Sequence, residues 1–273
     1  MDPTTTTVSG GAEPVVRMLD IKKQYGQVFA LRGMSLDLHK GEVVGIVGDN
    51  GAGKTTLVKV LCGAIAPSAG RILLDGTPVA FRSPHEARLQ GIEIVYQDLA
   101  VMGQLDVSAN VFLGRELTRR IFGFRILDTR TMQQRTRALM RRLDPVMENR
   151  IFVNVDQLSG GQRQSVAIAR AIVFDPKVII LDEPTAALSV EKIEVVLTLI
   201  RQLKAAGLGI ILISHRLQDI MSVCDRVVVM KRGSLVRDLN VSTTDISEIV
   251  RLMVTGGDTP VGAGVQSLNL TAS

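Results

Sequence analysis

The chain has 273 residues, of which 46% are hydrophobic and 22% charged, and these proportions are typical of a globular protein. Its apolar runs are far shorter than the roughly 20 residues that a membrane-spanning helix needs. Its 3% aromatic content, without tryptophan, argues against a stacking platform for single-stranded nucleic acid. The net charge of +5 favours an anionic partner only weakly, since an ordinary basic protein has the same balance. Two distant cysteines, Cys62 and Cys224, lack metal-ligand spacing, so we expect buried thiols in a reducing compartment.

The two ends of the sequence differ in composition from the part between them. Residues 1–13 are rich in threonine and glycine and are predicted to form a disordered tail, without the basic start and apolar stretch of a secretory signal. Residues 256–273 are similarly polar and are predicted to form a flexible tail. Residues 14–255 contain no long linker and no internal repeat, which indicates a single domain.

The first part of that domain shows strand patterns followed by a helix. Met34, Leu36 and Leu38 alternate with polar residues, which predicts a half-buried antiparallel strand. The segment 42–47 is almost uniformly apolar, and such a strand is buried on both faces, as in a parallel sheet. A helix is predicted over residues 54–64.

Further strands and helices define the fold class. Apolar strands are predicted over 177–181 and 209–213, with a helix between them that begins near Glu191 and ends before Gly207. This alternation predicts an α/β fold with a parallel sheet, to which the earlier strand adds an N-terminal antiparallel β part.

The segment 99–170 has a mostly helical pattern and no strong strand, so we interpret it as a helical subdomain inserted into the core. Its many arginines favour a solvated helix face, with contact to a partner or to nucleic acid as the weaker alternative. They include Arg130, Arg135, Arg137, Arg141 and Arg142.

A glycine-rich loop lies between the strand 42–47 and the helix that follows it. The pattern G-x-x-x-x-G-K-[ST] in this context predicts backbone N–H groups that surround phosphate oxygens, assisted by the positive end of the helix. We expect Lys54 to reach the β- and γ-phosphates of ATP and Thr55 to ligate Mg²⁺. The residues predicted to bind the nucleotide here are Gly48, Asp49, Asn50, Gly51, Ala52, Gly53, Lys54, Thr55 and Thr56.

A pair of acids follows the apolar strand 177–181. Strand ends face the ligand crevice of a parallel sheet and adjacent side chains alternate, so Asp182 and Glu183 can serve different roles. We expect Asp182 to hold Mg²⁺ and Glu183 to orient or deprotonate an attacking water. The alternative of two merely solvated acids fits the apolar strand and the following Pro184-Thr185 less well.

The segment Leu158-Ser-Gly-Gly-Gln162 opens a predicted helix and carries a family resemblance. A serine hydroxyl and two glycines at a helix start form a second candidate anion site. Its members are Ser159, Gly160, Gly161 and Gln162. Together with the glycine-rich loop, this segment resembles the ATPase subunits of ABC transporters, and the resemblance covers about residues 15–240. It implies a head-to-tail dimer that binds ATP between the loop of one copy and the Ser-Gly-Gly segment of the other.

Single positions also match the family. By this resemblance Tyr25 stacks on adenine, although an ordinary tyrosine at a strand end remains the alternative. Gln97 is implied to touch Mg²⁺ or the attacking water, and His215 to contact the γ-phosphate, so both join Glu183 as catalytic candidates. The implied metal ligands are Thr55, Gln97 and Asp182.

The stretches 155–171 and 183–189 resemble bacterial monosaccharide importers of the ribose, galactose, xylose and fructose type, and the fructose type fits best. Many of those proteins carry two fused ATPase halves, whereas this chain has one and is expected to pair with a copy of itself. The implied partners are membrane permease subunits and, indirectly, a sugar-binding protein, with no nucleic acid. The implied location is the cytoplasmic face of the inner membrane. Ser189 stands where the family often has aspartate, although it can still cap the next helix.

Some questions stay open at this level. The apolar stretch Leu99-Ala-Val-Met102 either accepts a cytoplasmic helix of the permease or packs inside the helical subdomain. Three rival functions are a soluble ABC-type ATPase acting on ribosomes or DNA, an unrelated P-loop kinase and an ATP-gated clamp. The first usually has a second ATPase unit or zinc cysteines, and the second leaves the segment 158–162 unexplained.

Overall fold

The computed structural model describes residues 13–186 and 188–257, which form twelve β-strands and eight α-helices. The strands are β1 (Val16–Tyr25), β2 (Val28–Leu38), β3 (Val43–Val47), β4 (Ala69–Leu74), β5 (Thr77–Val79), β6 (Ile92–Val95), β7 (Thr118–Ile121), β8 (Phe124–Leu127), β9 (Val178–Asp182), β10 (Gly209–Ile213), β11 (Arg226–Lys231) and β12 (Ser234–Asn240). The helices are α1 (Lys54–Leu61), α2 (Pro84–Leu89), α3 (Val107–Phe112), α4 (Thr129–Leu143), α5 (Gly160–Ile172), α6 (Val190–Ala205), α7 (Leu217–Val223) and α8 (Ile246–Thr255). Of the two predicted tails, residues 1–12 and 258–273 lie outside the described residues.

A six-stranded sheet holds the apolar strands that the sequence predicts. Its order is β12-β11-β3-β10-β9-β6, and only the β11–β12 pair is antiparallel. Every residue of β3 and of β10 is buried, as expected for strands covered on both faces. The predictions of strands at 42–47, 177–181 and 209–213 and of an α/β fold are confirmed.

Two different layers cover this central sheet. One face, which includes Ile46 and Ile180, packs against α1 and an antiparallel sheet of order β2-β1-β4-β5. The other face, which includes Val47 and Leu181, packs against α3, α5 and α6. In β2 the buried residues alternate with less buried ones from Met34 to Leu38, so the predicted antiparallel β part is confirmed.

The segment 99–170 contains α3, α4 and most of α5, but also a hairpin of β7 and β8. The expectation of a segment without strands was therefore wrong for residues 118–127. The hairpin is largely exposed, so its sequence lacks the alternation of apolar and polar positions that a half-buried strand requires. The five arginines named above are all exposed on or beside α4, as the solvated-face interpretation predicts.

Other expectations can be compared with the structure directly. Cys62 and Cys224 are both buried free thiols. The helix predicted over 54–64 ends earlier, at Leu61. Among the helices of residues 13–186 and 188–257, none combines the length and the apolar composition that crossing a bilayer demands.

The interior of the helical subdomain depends on Phe112, which is fully buried and meets the ring of Phe174 edge-on at 5.8 Å between centroids. We predict that Phe112→Ala lowers the free energy of unfolding by about 3–5 kcal/mol, because it removes a buried aromatic ring and leaves a cavity. Phe152 is 55% exposed, and Phe152→Ala is the matched control with a small effect. Denaturant titration measures both, and equal losses would contradict this account of the core.

Candidate nucleotide site

The glycine-rich loop connects the end of β3 to the start of α1, and neighbouring backbone restricts two of its positions to glycine. Gly53 has φ of 104°, and a Cβ there would lie 2.7 Å from the carbonyl oxygen of Ala30. A Cβ at Gly48 would collide with the carbonyl oxygen of Met230. Only glycine allows the chain to turn so tightly at these two positions.

The side chain of Lys54 lies over this loop. Its Nζ donates hydrogen bonds to the carbonyl oxygens of Gly48 at 2.6 Å and Asp49 at 3.1 Å. The residue is only 8% exposed. Burial lowers the pKa of Lys54, and the nearby carboxylates of Glu183, Asp49 and Asp182 oppose that change. The predicted phosphate-binding lysine and the predicted acids therefore share one electrostatic environment.

Asp182 and Glu183 lie where β9 ends, beside the end of β10. The backbone N–H of Glu183 donates to the carbonyl oxygen of Ile213 at 2.9 Å, and Glu183 has φ of 52°, in the left-handed region that is unusual for glutamate. His215 Nε2 lies 2.7 Å from Glu183 Oε1. Burial raises the pKa of Asp182, as does the charge of Glu183, while Lys54 and His215 lower it.

A second polar contact joins the same two strand ends, and sequence reasoning missed it. Asp219 is buried in the first turn of α7, and its Oδ2 accepts a hydrogen bond from the hydroxyl of Thr185 at 2.6 Å. Its Oδ1 accepts from Arg216 Nε at 3.3 Å. Asp219 thus ties the segment after Glu183 to the segment after His215. The one available signal was an acid within a short amphipathic helix, which is too weak to identify such a contact.

The remaining candidates lie around these residues. Gln97 is exposed two residues beyond the end of β6, at the same sheet edge as Asp182, because β6 and β9 are parallel neighbours. Tyr25 is 48% exposed at the end of β1, with Lys23 Nζ 5.2 Å from its ring centroid. Thr55 is exposed in the first turn of α1. The stacking and metal roles of these residues stay predictions.

Comparison with known proteins assigns the chain to a family. The model of the family described as ABC transporter matches residues 31–186. The chain belongs to the ABC transporter family. Its membership makes it a nucleotide-binding ATPase, and the relatives give no support to the nucleic-acid alternative.

Two relatives match this ABC protein over nearly their whole length. The fructose import ATP-binding protein FrcA of Rhizobium meliloti is 43% identical over 91% of this chain and 96% of that protein. The xylose/arabinose import ATP-binding protein XylG of Sulfolobus acidocaldarius is 42% identical over 88% of this chain and 93% of that protein. The ribose import ATP-binding protein RbsA 2 of Streptomyces avermitilis is 40% identical over 89% of this chain, but the chain spans only 47% of its length.

Solved structures agree on the fold. The structure of cbiO1 from Clostridium perfringens, part of the ABC transporter complex cbiONQ, aligns with a TM-score of 0.74 and 28% identity over 89% of this chain and 93% of that chain. An ATP-binding cassette in a dimeric post-hydrolysis state bound to ADP and Pi aligns with a TM-score of 0.68 and 24% identity over 83% of this chain and 98% of that chain. The latter likeness establishes the shared fold alone.

The start of α5 is closed by a capping box. The Ser159 hydroxyl oxygen accepts from the N–H of Gln162 at 3.3 Å, and Gln162 Oε1 accepts from the N–H of Ser159 at 3.1 Å. Gln162 Oε1 also accepts from Arg150 at 3.3 Å. Gln162, a predicted nucleotide contact, therefore has a helix-capping role that the sequence analysis did not anticipate. Ser189 occupies the N-cap of α6, but its side chain makes no capping hydrogen bond.

The predicted metal ligands fit Mg²⁺ by their chemistry. Thr55, Asp182 and Gln97 offer hydroxyl, carboxylate and amide oxygens, the hard donors that this ion prefers. Within residues 13–186 and 188–257, no donor group hydrogen-bonds to the Asp182 carboxylate, which leaves its oxygens available to a cation. The same residues contain no cluster of three His, Cys, Asp or Glu that would hold a metal alone. This set suits Mg²⁺, which is usually held by one or two carboxylates together with substrate phosphates and water.

The raised pKa of Asp182 gives a pH-dependent prediction. Because its folded-state pKa lies above the ordinary value, the ionised carboxylate costs stability at neutral pH, and this cost disappears as pH falls toward about 4. We predict that Asp182→Asn raises the melting temperature of the nucleotide-free protein at pH 7 and that the gain shrinks as pH is lowered.

Differential scanning calorimetry between pH 4 and 8 measures this effect. Asp175→Asn removes an exposed acid away from the loop and should change the melting temperature little. Adding Mg²⁺ and ATP should stabilise the Asp182→Asn variant less than the parent protein. A variant that is less stable than the parent at pH 7 without nucleotide would contradict the prediction.

Proposed function

We propose that this chain binds and hydrolyses ATP and thereby energises import of a monosaccharide through a membrane transporter, from the cytoplasmic face of the inner membrane. The observation that carries the proposal is the meeting of Lys54 with Asp182 and with the Glu183–His215 pair at one edge of a parallel sheet. The fructose and xylose/arabinose relatives, matched over most of both lengths, support a sugar as the transported solute.

The residues of the loop and of the strand ends divide the work of hydrolysis. Backbone N–H groups of the loop and the Lys54 ammonium bind the β- and γ-phosphates of ATP. Glu183 accepts a proton from water as the water oxygen attacks the γ-phosphorus. The bond from that phosphorus to the bridging oxygen breaks, which yields ADP and phosphate. His215 Nε2 lies 2.7 Å from the Glu183 carboxylate, and we assign to His215 the contact with the γ-phosphate.

Thr55, Asp182 and Gln97 would hold Mg²⁺ in this site. When bound, the ion supplies positive charge that neutralises the phosphates during transfer. Tyr25 would stack on adenine from the neighbouring antiparallel sheet. These assignments rest on the positions of the residues and on the family to which the chain belongs.

A second copy of the chain would complete the site, in a head-to-tail dimer. Ser159 is exposed at the start of α5, and the described residues include no acceptor for its hydroxyl proton, so the group can donate to a phosphate. The N–H groups of Gly160 and Gly161 lie in the first turn, where they have no partner within the helix. A solved cassette with the same fold is dimeric, which supports a dimer of this chain.

The role of Glu183 and the ATP-dependent dimer can be tested in one variant. We predict that Glu183→Gln lowers ATP turnover about 10²–10⁴-fold, because the amide cannot accept the proton, while ATP still binds. The variant should therefore accumulate as an ATP-bound dimer. Phosphate release measures turnover, and size-exclusion chromatography with and without ATP measures association.

The control is Glu191→Gln, which removes an exposed carboxylate in the first turn of α6 and should leave both measurements unchanged. Parent-like turnover in the Glu183→Gln variant would refute the catalytic assignment. A variant that stays monomeric with ATP would refute the dimer.

The proposed contact with the permease is a cleft of about 150 Å³ beside Gln97. Leu99 lines it and is half-buried against the core, whereas Met102 is 53% exposed outside it. The stretch 99–102 therefore partly packs inside the subdomain and partly faces outward. We propose that a cytoplasmic helix of the permease lies on this surface and places a side chain in the cleft.

The charges of the cleft favour an acidic group on that helix. Glu93 is buried and paired with Arg115 at 2.5 Å. Arg170 and Arg88 also line the cleft, and burial lowers the pKa of Arg170, as do the charges of Arg115 and Arg88. Three guanidinium groups thus face one carboxylate, and an acidic residue of the permease would reduce their repulsion.

We predict that Leu99→Glu abolishes sugar transport in reconstituted transporter but leaves the basal ATPase activity of the isolated chain intact, because it places a negative charge in the wall of the cleft. Transport of labelled sugar into proteoliposomes and phosphate release measure the two activities. The control is Val254→Glu on α8. This helix contacts β11 and β12, at the side of the central sheet away from β6, so the variant should transport normally. Undiminished transport by Leu99→Glu would exclude the cleft as the coupling surface.

A further inference from the structure

The hairpin of β7 and β8 has an exposed aromatic tip. Phe122 and Gly123 form its two-residue turn with φ of 47° and 85°. Such turns favour Asn-Gly or Gly-Gly, since a bulky residue is strained at positive φ. Phe122 is 97% exposed and Phe124 is 75% exposed, so packing within the chain does not offset that strain. The two rings serve no purpose in the described fold.

The same hairpin carries uncompensated positive charge. Residues 118–127 include three arginines and no acid. The register places Arg120 directly opposite Arg125, and like charges opposite one another destabilise a hairpin. Among the described residues, neither these two nor Arg119 takes part in an ion pair within 4.0 Å, and Arg125 donates only to the hydroxyl of Thr118, at 3.1 Å.

The nearest acids on either side of the hairpin are engaged elsewhere. Glu116 Oε1 accepts from the N–H of Gly114 at 2.9 Å. Asp128 caps α4, with Oδ1 accepting from the N–H of Thr131 at 3.2 Å and Oδ2 from its hydroxyl at 2.8 Å. An anion from outside the chain is therefore the natural complement of Arg120 and Arg125.

The base of the hairpin adjoins the cleft proposed to receive the permease. Leu113 and Arg115 line that cleft, and Leu117, two residues further on, packs against the core. The N–H of Asp128 donates to the carbonyl oxygen of Leu117 at 2.8 Å and closes the base. If the cleft faces the transporter, the hairpin therefore lies on the side of the chain that faces the membrane.

We propose that this hairpin docks on an anionic phospholipid surface, with Phe122 and Phe124 in the boundary of headgroups and acyl chains and Arg120 and Arg125 holding lipid phosphates. The inference rests on the proposed function for its orientation. A convex tip with exposed rings suits insertion between lipids, whereas a peptide partner would need a groove to fill. Anionic lipids attract each basic residue near the surface, and aromatic rings favour the interface.

The absence of tryptophan from the sequence allows a direct measurement. Phe122→Trp in the full chain places a single fluorophore at the tip, and Phe152→Trp places one at another exposed phenylalanine. With vesicles of phosphatidylglycerol and phosphatidylcholine, we expect a blue shift of the emission from the tip but not from the control. Vesicles of phosphatidylcholine alone should give no shift, and salt should reduce the shift.

Vesicle sedimentation tests the charged pair. Arg120→Glu/Arg125→Glu should weaken binding to anionic vesicles by about thirty-fold or more, since two favourable contacts are lost. Arg135→Glu/Arg137→Glu makes the same change of charge on the exposed face of α4 and should bind more tightly than the hairpin variant. Equal losses in the two variants would mean a general charge effect and would overturn the proposal.

Other outcomes are equally decisive. Failure of the parent chain to bind anionic vesicles overturns the proposal, as does binding only to permease-containing vesicles of neutral lipid, which would make the partner a protein. ATP turnover without vesicles is measured on every variant and should be unchanged. Loss of the proposed ATPase function would appear in that assay, whereas failure of the hairpin proposal would appear only in the vesicle assays.

Discussion

The register of three parallel strands fixes where the site can form. Ile46 of β3 pairs with Ile213 of β10, and Ile213 pairs with Asp182 of β9. The carboxyl ends of these three strands therefore lie side by side. The residues that follow them come from segments far apart in sequence. The phosphate loop, the paired acids and His215 lie together because these strands are held in line by burial on both faces.

The environment at these strand ends disfavours the charged forms of two of the side chains located there. Burial is the largest influence on both Lys54 and Asp182, and it lowers the pKa of the first and raises that of the second. Their mutual attraction does not compensate for the loss of water. Phosphate oxygens would pair with Lys54 and a divalent cation with Asp182, so binding of both would offset this cost of burial.

The sequence predicts the structure of this protein well where the signal is a local motif or where a strand is buried on both faces. The strand β3 was identified from its uniform apolar composition, and the loop after it from its glycine spacing. The hairpin β7–β8 was missed, because its residues are exposed and carry no periodic signal. The contact of Asp219 with Thr185 was missed as well, since it joins side chains 34 positions apart that only the tertiary fold brings together. The family motif located Gln162 but could not show that its amide would cap its own helix.

The two helix starts predicted to bind phosphate, those of α1 and α5, are built differently. The difference argues that a second copy of the chain completes the site. At α1 the glycines and Lys54 surround the space above the loop, with acids close by. At α5 the Ser159 oxygen is used as an acceptor within the capping box, which leaves its proton free to point outward. The segment 158–162 offers hydrogen-bond donors but contains no carboxylate or imidazole, so by itself it would bind a phosphate without hydrolysing it. In the proposed head-to-tail dimer, this helix start would lie opposite the loop of the other subunit, and its donors would bind the phosphate that the other subunit hydrolyses.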